Sequence, residues 1–412
     1  MAQATLYGRT DIGYGVKATQ MGTGGTGVKQ LGIMDGGNAG SRIGFRGTED
    51  LGGGMKAHFV TEQGISPTNG ALFGVRTATA GIQYDGYAAA AGNDPGSAGA
   101  YSQGTNRQTY LGLEGGFGTL RVGYQYTTLY EIATLSGFTN TSEGMAGGNV
   151  AHLWGNAVAG GTRGNMINYI SPKLAGAWTV AMQMGSAGGR ENTEFVGVTN
   201  TANGRLIDKQ ARTSLHIDYN AGPLRAAFGY TTFDSNLGGA LANNAAGTLG
   251  TAGAANTVTN TFSVLGALTA AGTAAATTNV ATQTNLSQLA GTYNFGAVKV
   301  GATINSGQST ATTTTIATSA TAAVVTNISS RAVSANMPMG KMEIVGGFNN
   351  ASLDVAGTPT ADWASSQLGL KYNFSKRTVM YGYTGTSTNN LATAATALKV
   401  MTGTIVGIDH QF

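Results

Sequence analysis

A chain of 412 residues is long enough for two or three soluble domains. Yet only 10% of it is charged, 66 residues are glycine and six are proline, too little charge and too much glycine for ordinary globular packing. With no cysteine there is no disulfide framework, thiolate metal site or cysteine nucleophile, and a net charge of +4 without a basic cluster argues against nucleic acid as a partner. No stretch approaches the run of about 18 apolar residues that a membrane-crossing helix needs. A closed β-barrel also satisfies every backbone group in hydrocarbon, and its alternating strands average to a neutral mean hydropathy such as the −0.03 of this chain.

The opening "MAQATLYG" reads as a mature N-terminus behind an added Met1. The first strand, "ATLYGRTDIGYGV", sets Leu6, Ile12, Tyr14 and Val16 on one face and Arg9 and Asp11 on the other. Seven short turn signals follow, at 49–54, 115–118, 171–176, 220–223, 294–297, 337–340 and 374–377, each with Gly, Pro, Asn, Asp or Ser where turns need them. Between them lie eight longer connections, at 17–40, 64–106, 127–162, 186–210, 234–282, 309–326, 351–362 and 388–399. Fifteen connections predict sixteen strands. Their alternation is regular: Met55, Ala57 and Phe59 oppose Lys56, His58 and Glu62, and Leu215, Ile217 and Tyr219 oppose Arg212, Ser214, His216 and Asp218. The last strand, "TIVGIDHQF", puts Thr404, Val406, Ile408, His410 and Phe412 on one face and Asp409 on the other. A soluble sandwich or other Thr/Ala-rich β-protein shares such alternation; short turns against long loops, with an even strand count, favour a single transmembrane antiparallel barrel over 1–412. Aromatics near strand ends, among them Tyr14, Tyr219, Tyr372, Phe374 and Phe412, fit interfacial girdles. The Ala-, Thr- and Gly-rich loops read as solvated extracellular connections.

"SRIGFRGTEDLGGGMKAHFVTEQG" (41–64) resembles the general porins of betaproteobacteria, as do "TLYGRTDIGYG" (5–15), "RQTYLGLEGGFGTLRVGYQYTTLYE" (107–131), "NYISPKLAGAWTVAMQMG" (168–185), "YNFSKRTVMYGYTG" (372–385) and "VGIDHQF" (406–412), in the family's order. The resemblance implies an outer-membrane homotrimer of sixteen-stranded channels in a Gram-negative bacterium, in contact with outer-membrane lipid and lipopolysaccharide. It also implies a third loop, here 127–162, folded into the lumen. In that family wall arginines face acids on the loop and on a nearby strand; by local match the arginines fall on Arg42 and Arg107 and the strand acid on Glu62, while the loop supplies Glu131. Arg163 stands one residue from the family's arginine before "NYISP", Tyr124 replaces an arginine, and Asp409 stands where kin tend to be basic. The family's C-terminal Phe is read by the outer-membrane assembly machinery, which gives Phe412 a second role.

Geometry independently sets these groups together. At about 2.3 Å of height per tilted strand residue, Arg42, Arg107, Glu62 and Arg163 stand roughly 16–21 Å above the periplasmic rim. Parity turns ten basic residues inward, among them Arg42, Arg46, Arg121 and Arg212, against five acids, with Asp11–Arg9, Asp218–Arg212 and Lys341–Glu343 as possible neutral pairs. The excess predicts a positive lumen that concentrates anions, with a transverse field toward Glu62 and Glu131, and Tyr124, His58 and Arg212 as further lumen contacts. Two functions follow: passive diffusion of small hydrophilic solutes and ions with anion preference, or a substrate-specific channel for a small anionic metabolite. An adhesive surface protein is a third class, distinguished by a plugged lumen. No H-E-x-x-H, G-x-S-x-G or metal-ligand spacing is present, so neither catalysis nor a cofactor is expected; acidic loop residues could take calcium, but no spacing specifies it. His152 and Trp154, in "VAHLWGN", are possible solute contacts on the inward loop.

Overall fold

The computed structural model describes residues 3–25, 27–35, 37–67, 107–133, 135, 163–186, 193–194, 207–237, 278–315, 320–391 and 398–412. In chain order its strands are β1 (Gln3–Met21), β2 (Val28–Asp35), β3 (Arg42–Gly52), β4 (Met55–Gly64), β5 (Gln108–Gly115), β6 (Gly118–Tyr126), β7 (Arg163–Ile170), β8 (Trp178–Ser186), β9 (Thr193–Glu194), β10 (Ile207–Ala221), β11 (Leu224–Leu237) and β12 (Thr278–Asn294). The remainder are β13 (Lys299–Thr315), β14 (Ala320–Met339), β15 (Met342–Val355), β16 (Thr358–Asn373), β17 (Thr378–Asn389) and β18 (Leu398–Gln411). One helix, α1 (Thr128–Ala133), follows β6.

Among the described residues all strand pairs are antiparallel, and β1 pairs with β18 from Arg9↔Gln411 to Met21↔Leu398, so the sheet closes on itself. The eighteen strands make sixteen staves. β2 and β3 are two halves of one stave, since β1 pairs with β3 through Arg9↔Arg42 and with β2 from Ile12↔Asp35 upward. The two-residue β9 only extends the edge of β10. This is the expected sixteen-stranded transmembrane barrel.

The faces divide as the alternation predicts. Phe348, Leu368, Ile304, Val333, Leu289 and Val406 are exposed on the outside, where they meet hydrocarbon, while Asp11, Asp409, Arg212 and Gln183 are buried on the inside. Higher on the outer face the neighbours become polar: Gln308 Nε2 donates to Asn327 Oδ1 (3.0 Å) and the Ser329 and Ser352 hydroxyls lie 2.7 Å apart.

All seven short turns lie where the sequence places them. Three of the long connections do not. Stretch 17–40 is mostly strand, with the β1–β2 reversal confined to 22–27. Most of 309–326 belongs to β13 and β14, and 351–362 shrinks to a two-residue hairpin at Ala356–Gly357, with φ of 52° and 81°, closed by Gly357 N–H donating to Asp354 Oδ1 (2.8 Å). These segments are rich in Ala, Thr, Gly and Asn, the composition that suggested loops. Above the hydrocarbon no apolar face is needed, and threonine's β-branch suits an extended backbone. The expected connections at 64–106, 127–162, 186–210 and 234–282 lie largely outside the described residues, as does half of 388–399.

The seam is closed by chain ends. Gly8 and Phe412 exchange both backbone hydrogen bonds at 3.1 Å, and the Phe412 ring lies across Gly8, where a Cβ would meet the ring and the Arg42 carbonyl. Gly8→Val is expected to cost about 1–3 kcal/mol by overpacking, read as loss of the heat-resistant folded band on unheated gels. Gly116→Ala, with open space around it, leaves that band unchanged.

Candidate pore constriction

Glu62 points inward from β4 and is almost fully buried. Arg107 Nε stands 2.6 Å from its Oε1, Arg42 Nε 3.6 Å from Oε2, and the Tyr7 hydroxyl donates to Oε2 at 3.2 Å. Arg46 completes this wall, its guanidinium 5.1 Å from the Tyr7 ring centre. Tyr7 fits because Gly44 faces it: a Cβ there would strike the phenol.

Arg107 also donates from Nη2 to the Tyr126 hydroxyl (2.8 Å), which accepts a second bond from Arg163 Nη2 (3.0 Å), as a phenol oxygen with two lone pairs can. The Arg163 guanidinium lies 4.6 Å from the Tyr126 ring centre. By strand period Arg107 and Arg163 share the face of Leu111 and Ile167. Arg107 lies just before β5 and Arg163 opens β7, so their side chains are set by partners instead. Gly123, at φ 134°, breaks the period of β6. Beyond it Tyr124 lies within electrostatic reach of Arg212, and Tyr126 stacks on Tyr130 of α1 (4.4 Å, 8° between planes).

The helix is built to sit inside. Thr127 caps it, with Tyr130 N–H donating to Thr127 Oγ1 (3.3 Å), and Glu131 in the first turn suits the positive end of the helix dipole. Gln183 of β8 clamps the entry, accepting from Thr128 N–H (2.9 Å) and donating to the Tyr126 carbonyl (3.0 Å). Ile132 is fully buried against lumen-facing Gly229 of β11, and with Leu135 packs on Ala227 and Ala290.

Glu131 is held apart from the Arg42–Arg107–Arg163 group. It lies 3.9 Å from His216 Nδ1, which neighbours Asp218, itself paired with Arg225 at 2.8 Å. Enclosure in the barrel pushes the Glu131 carboxyl up, to about 7, with Arg121 and Arg225 opposing and Asp218 adding to the rise. Its side chain remains 36% exposed to the lumen, and water there screens these charges. His58 packs on Gly112 beside Tyr110 (6.0 Å, edge-on), and Arg121 lies 5.3 Å from the same Tyr110 ring.

Two expectations need correcting. Glu62 does not oppose the wall arginines across the lumen but sits among them, so its single charge offsets one guanidinium locally and the wall keeps a net positive charge. The neutral pairs are also different: Arg9 binds Asp409 through two 2.6 Å bonds, Asp218 takes Arg225, and Glu343 takes Lys371 at 3.8 Å. Residues i and i+2 on one strand stand about 6.6 Å apart, whereas cross-strand neighbours stand at about 5 Å, so ion pairs form across strands. Tyr7, Tyr126 and Tyr130 carry much of the site without having been singled out, although "GYQYTTLYE" spaces its tyrosines at a telling interval. His152 and Trp154 lie outside the described residues. Among the described residues no group of three His, Cys, Asp or Glu could hold a metal ion.

A family model described as a Gram-negative porin matches residues 1–264 and 236–392. The chain is 29% identical over 204 residues to major outer membrane protein P.IB of Neisseria meningitidis serogroup B, covering 47% of this chain and 48% of that one. It thus spans about half the length of the curated relatives it matches first. Among solved structures, the anion-selective porin from Comamonas acidovorans superimposes with a TM-score of 0.62 at 22% identity, both chains fully covered. The trimer form of OmpT of Vibrio cholerae gives 0.56 at 13%, covering 100% of this chain and 99% of that one.

Glu62→Ala strands two arginines inside the wall, and is expected to cost about 3–5 kcal/mol. Glu131→Ala, at a partly open site, costs under about 1 kcal/mol. Urea unfolding in lipid vesicles separates the two; equal costs contradict this assignment.

Proposed function

The chain belongs to the Gram-negative porin family, and from that premise we propose that it forms a water-filled outer-membrane channel for passive diffusion of small hydrophilic solutes and ions, with a preference for anions. The observation carrying the preference is that Arg46, Arg121 and Arg163 lie on tyrosine faces with no carboxylate at ion-pair distance among the described residues. Acids at Glu62, Asp218, Asp409 and Glu343 already hold basic partners. The unpaired guanidinium groups stay charged at any relevant pH and raise local anion concentration in a narrow, low-dielectric passage. Arg42, Arg107, Arg163 and Arg46 form the basic wall of the constriction, with Glu62 as its internal counter-charge and Glu131 as the acid on the inward loop. His58, Tyr124 and Arg212 line the approach.

The protein works without chemistry of its own, as a passive pore. The likeness to a trimeric barrel supports a homotrimer of separate channels. The seam made by Phe412 also presents that ring at the barrel's outer edge, where assembly machinery can read it. Arg331, on the outer face level with Ile304 and just below the polar neighbours Gln308, Asn327 and Ser329, is suited to lipopolysaccharide phosphate.

Purified protein in a planar bilayer is expected to give discrete conductance steps that close in thirds; no conductance at all overturns the reading. Selectivity should also titrate. Glu131 is neutral below about 7 and anionic above it, so raising the pH adds a negative charge inside the pore. The chloride-to-potassium permeability ratio is therefore expected to fall between pH 5.5 and 8.5, and Glu131→Gln to hold it at its low-pH value. A ratio that rises with pH contradicts this role.

A further inference from the structure

The stave made of β2 and β3 is broken in its middle. Asp35 pairs with Ile12 and Arg42 with Arg9, so the described residues 37–41 stand opposite only Thr10 and Asp11. The surplus turns inward, because everything that holds 37–41 points into the barrel. Asp11 Oδ2 accepts from Asn38 N–H (2.7 Å) and Ala39 N–H (2.5 Å), while Oδ1 accepts from the Tyr381 hydroxyl (2.5 Å). Asn38 spans the other way, donating from Nδ2 to Asp409 Oδ2 (2.6 Å) and accepting from the Tyr383 hydroxyl (2.7 Å). Arg9 neutralises Asp409. Ser41 Oγ both accepts from Asp11 N–H and donates to its carbonyl.

Tyr381 and Tyr383 are stacked (4.9 Å, 20°) and nearly inaccessible, packed with Met34, Val345 and Ile405 on the inner wall. They lie flat only because Gly407 and Gly369 have no Cβ, and Gly37 rests on Tyr381 for the same reason. A polar lumen has no need of a buried apolar shelf unless something sits on it.

We propose that residues 37–41 are a second, fixed constriction element facing α1 across the lumen, and that Ala39 is a size-determining residue of the pore. Support comes from position. α1 rests on β10, β11 and β12, whereas 37–41 rests on β17, β18 and β1. Four staves separate these groups on one side and six on the other, which sets them nearly opposite. Ala39 and Gly40 are the half-buried residues of the segment. They are neutral and small, so this side limits size while α1 and the arginine wall supply the charge.

The inference rests on the channel reading, and its test separates the two. Since the chain has no cysteine, Ala39→Cys in the full-length protein carries a unique thiol. Methyl methanethiosulfonate and its anionic sulfonatoethyl analogue are applied to single channels, with labelling checked by mass. Conductance is expected to fall more with the larger reagent, by about twofold, and the sulfonatoethyl adduct to lower the chloride-to-potassium ratio as well. Full labelling with unchanged conductance, or no labelling, overturns the proposal. Absence of conductance in the unmodified wild type overturns the channel reading instead. Asp11→Ala, which unties the segment, is expected to raise conductance and the polyethylene glycol size limit; if it does not fold, Ala39→Cys still decides.

Discussion

Hydrocarbon accepts no unpaired amide, and that single constraint shapes the rest of this molecule. Because β1 must meet β18, the strands form a ring, and a ring of sixteen encloses more space than its own side chains fill. The outside is then free to be apolar and the inside free to carry charge. The proposed anion preference could not be built on an open sheet. Closure extends to Phe412, which lies over Gly8 and pairs with it through both backbone groups.

Inside, the same ring creates a second problem: arginines and acids brought within a few ångströms must be arranged, not merely accumulated. Four inward acids serve as local counter-charges to a basic neighbour on another strand, as Glu62 does for Arg107 and Asp409 for Arg9, whereas Asp11 is held by backbone amides and a phenol. Tyrosines then hold the surplus guanidinium groups by their faces. Glycines make room for both, since Gly44, Gly112 and Gly407 each lie under a ring. The positive character proposed for the passage thus rests on aromatic support as much as on the count of basic residues.

Much of this was legible beforehand. Turn chemistry located all seven short reversals, and the two-residue period sorted Leu368 from Lys371 and Ile408 from Asp409 correctly, because each of those strands has one face in lipid and one in water. The period failed where that contrast ends. Above the lipid, "STATTTT" pairs as strand without an apolar face, and at Gly123 a single unusual φ re-aims Tyr126. Ion pairing was misassigned where sequence proximity stood in for spatial proximity, as with Asp218, which takes Arg225 from the adjacent strand. The break between β2 and β3 has no local signature, since "GGNAGS" reads as any loop, and its inward course depends on Asp11, Tyr381 and Tyr383, far apart in the chain.

The central claim is that the described acids are locally satisfied and leave a net positive passage. The zero-current potential of wild-type channels across a tenfold potassium chloride gradient at pH 6 tests it most directly. A potential displaced toward the chloride equilibrium value is the predicted result; one displaced toward the potassium value would contradict it.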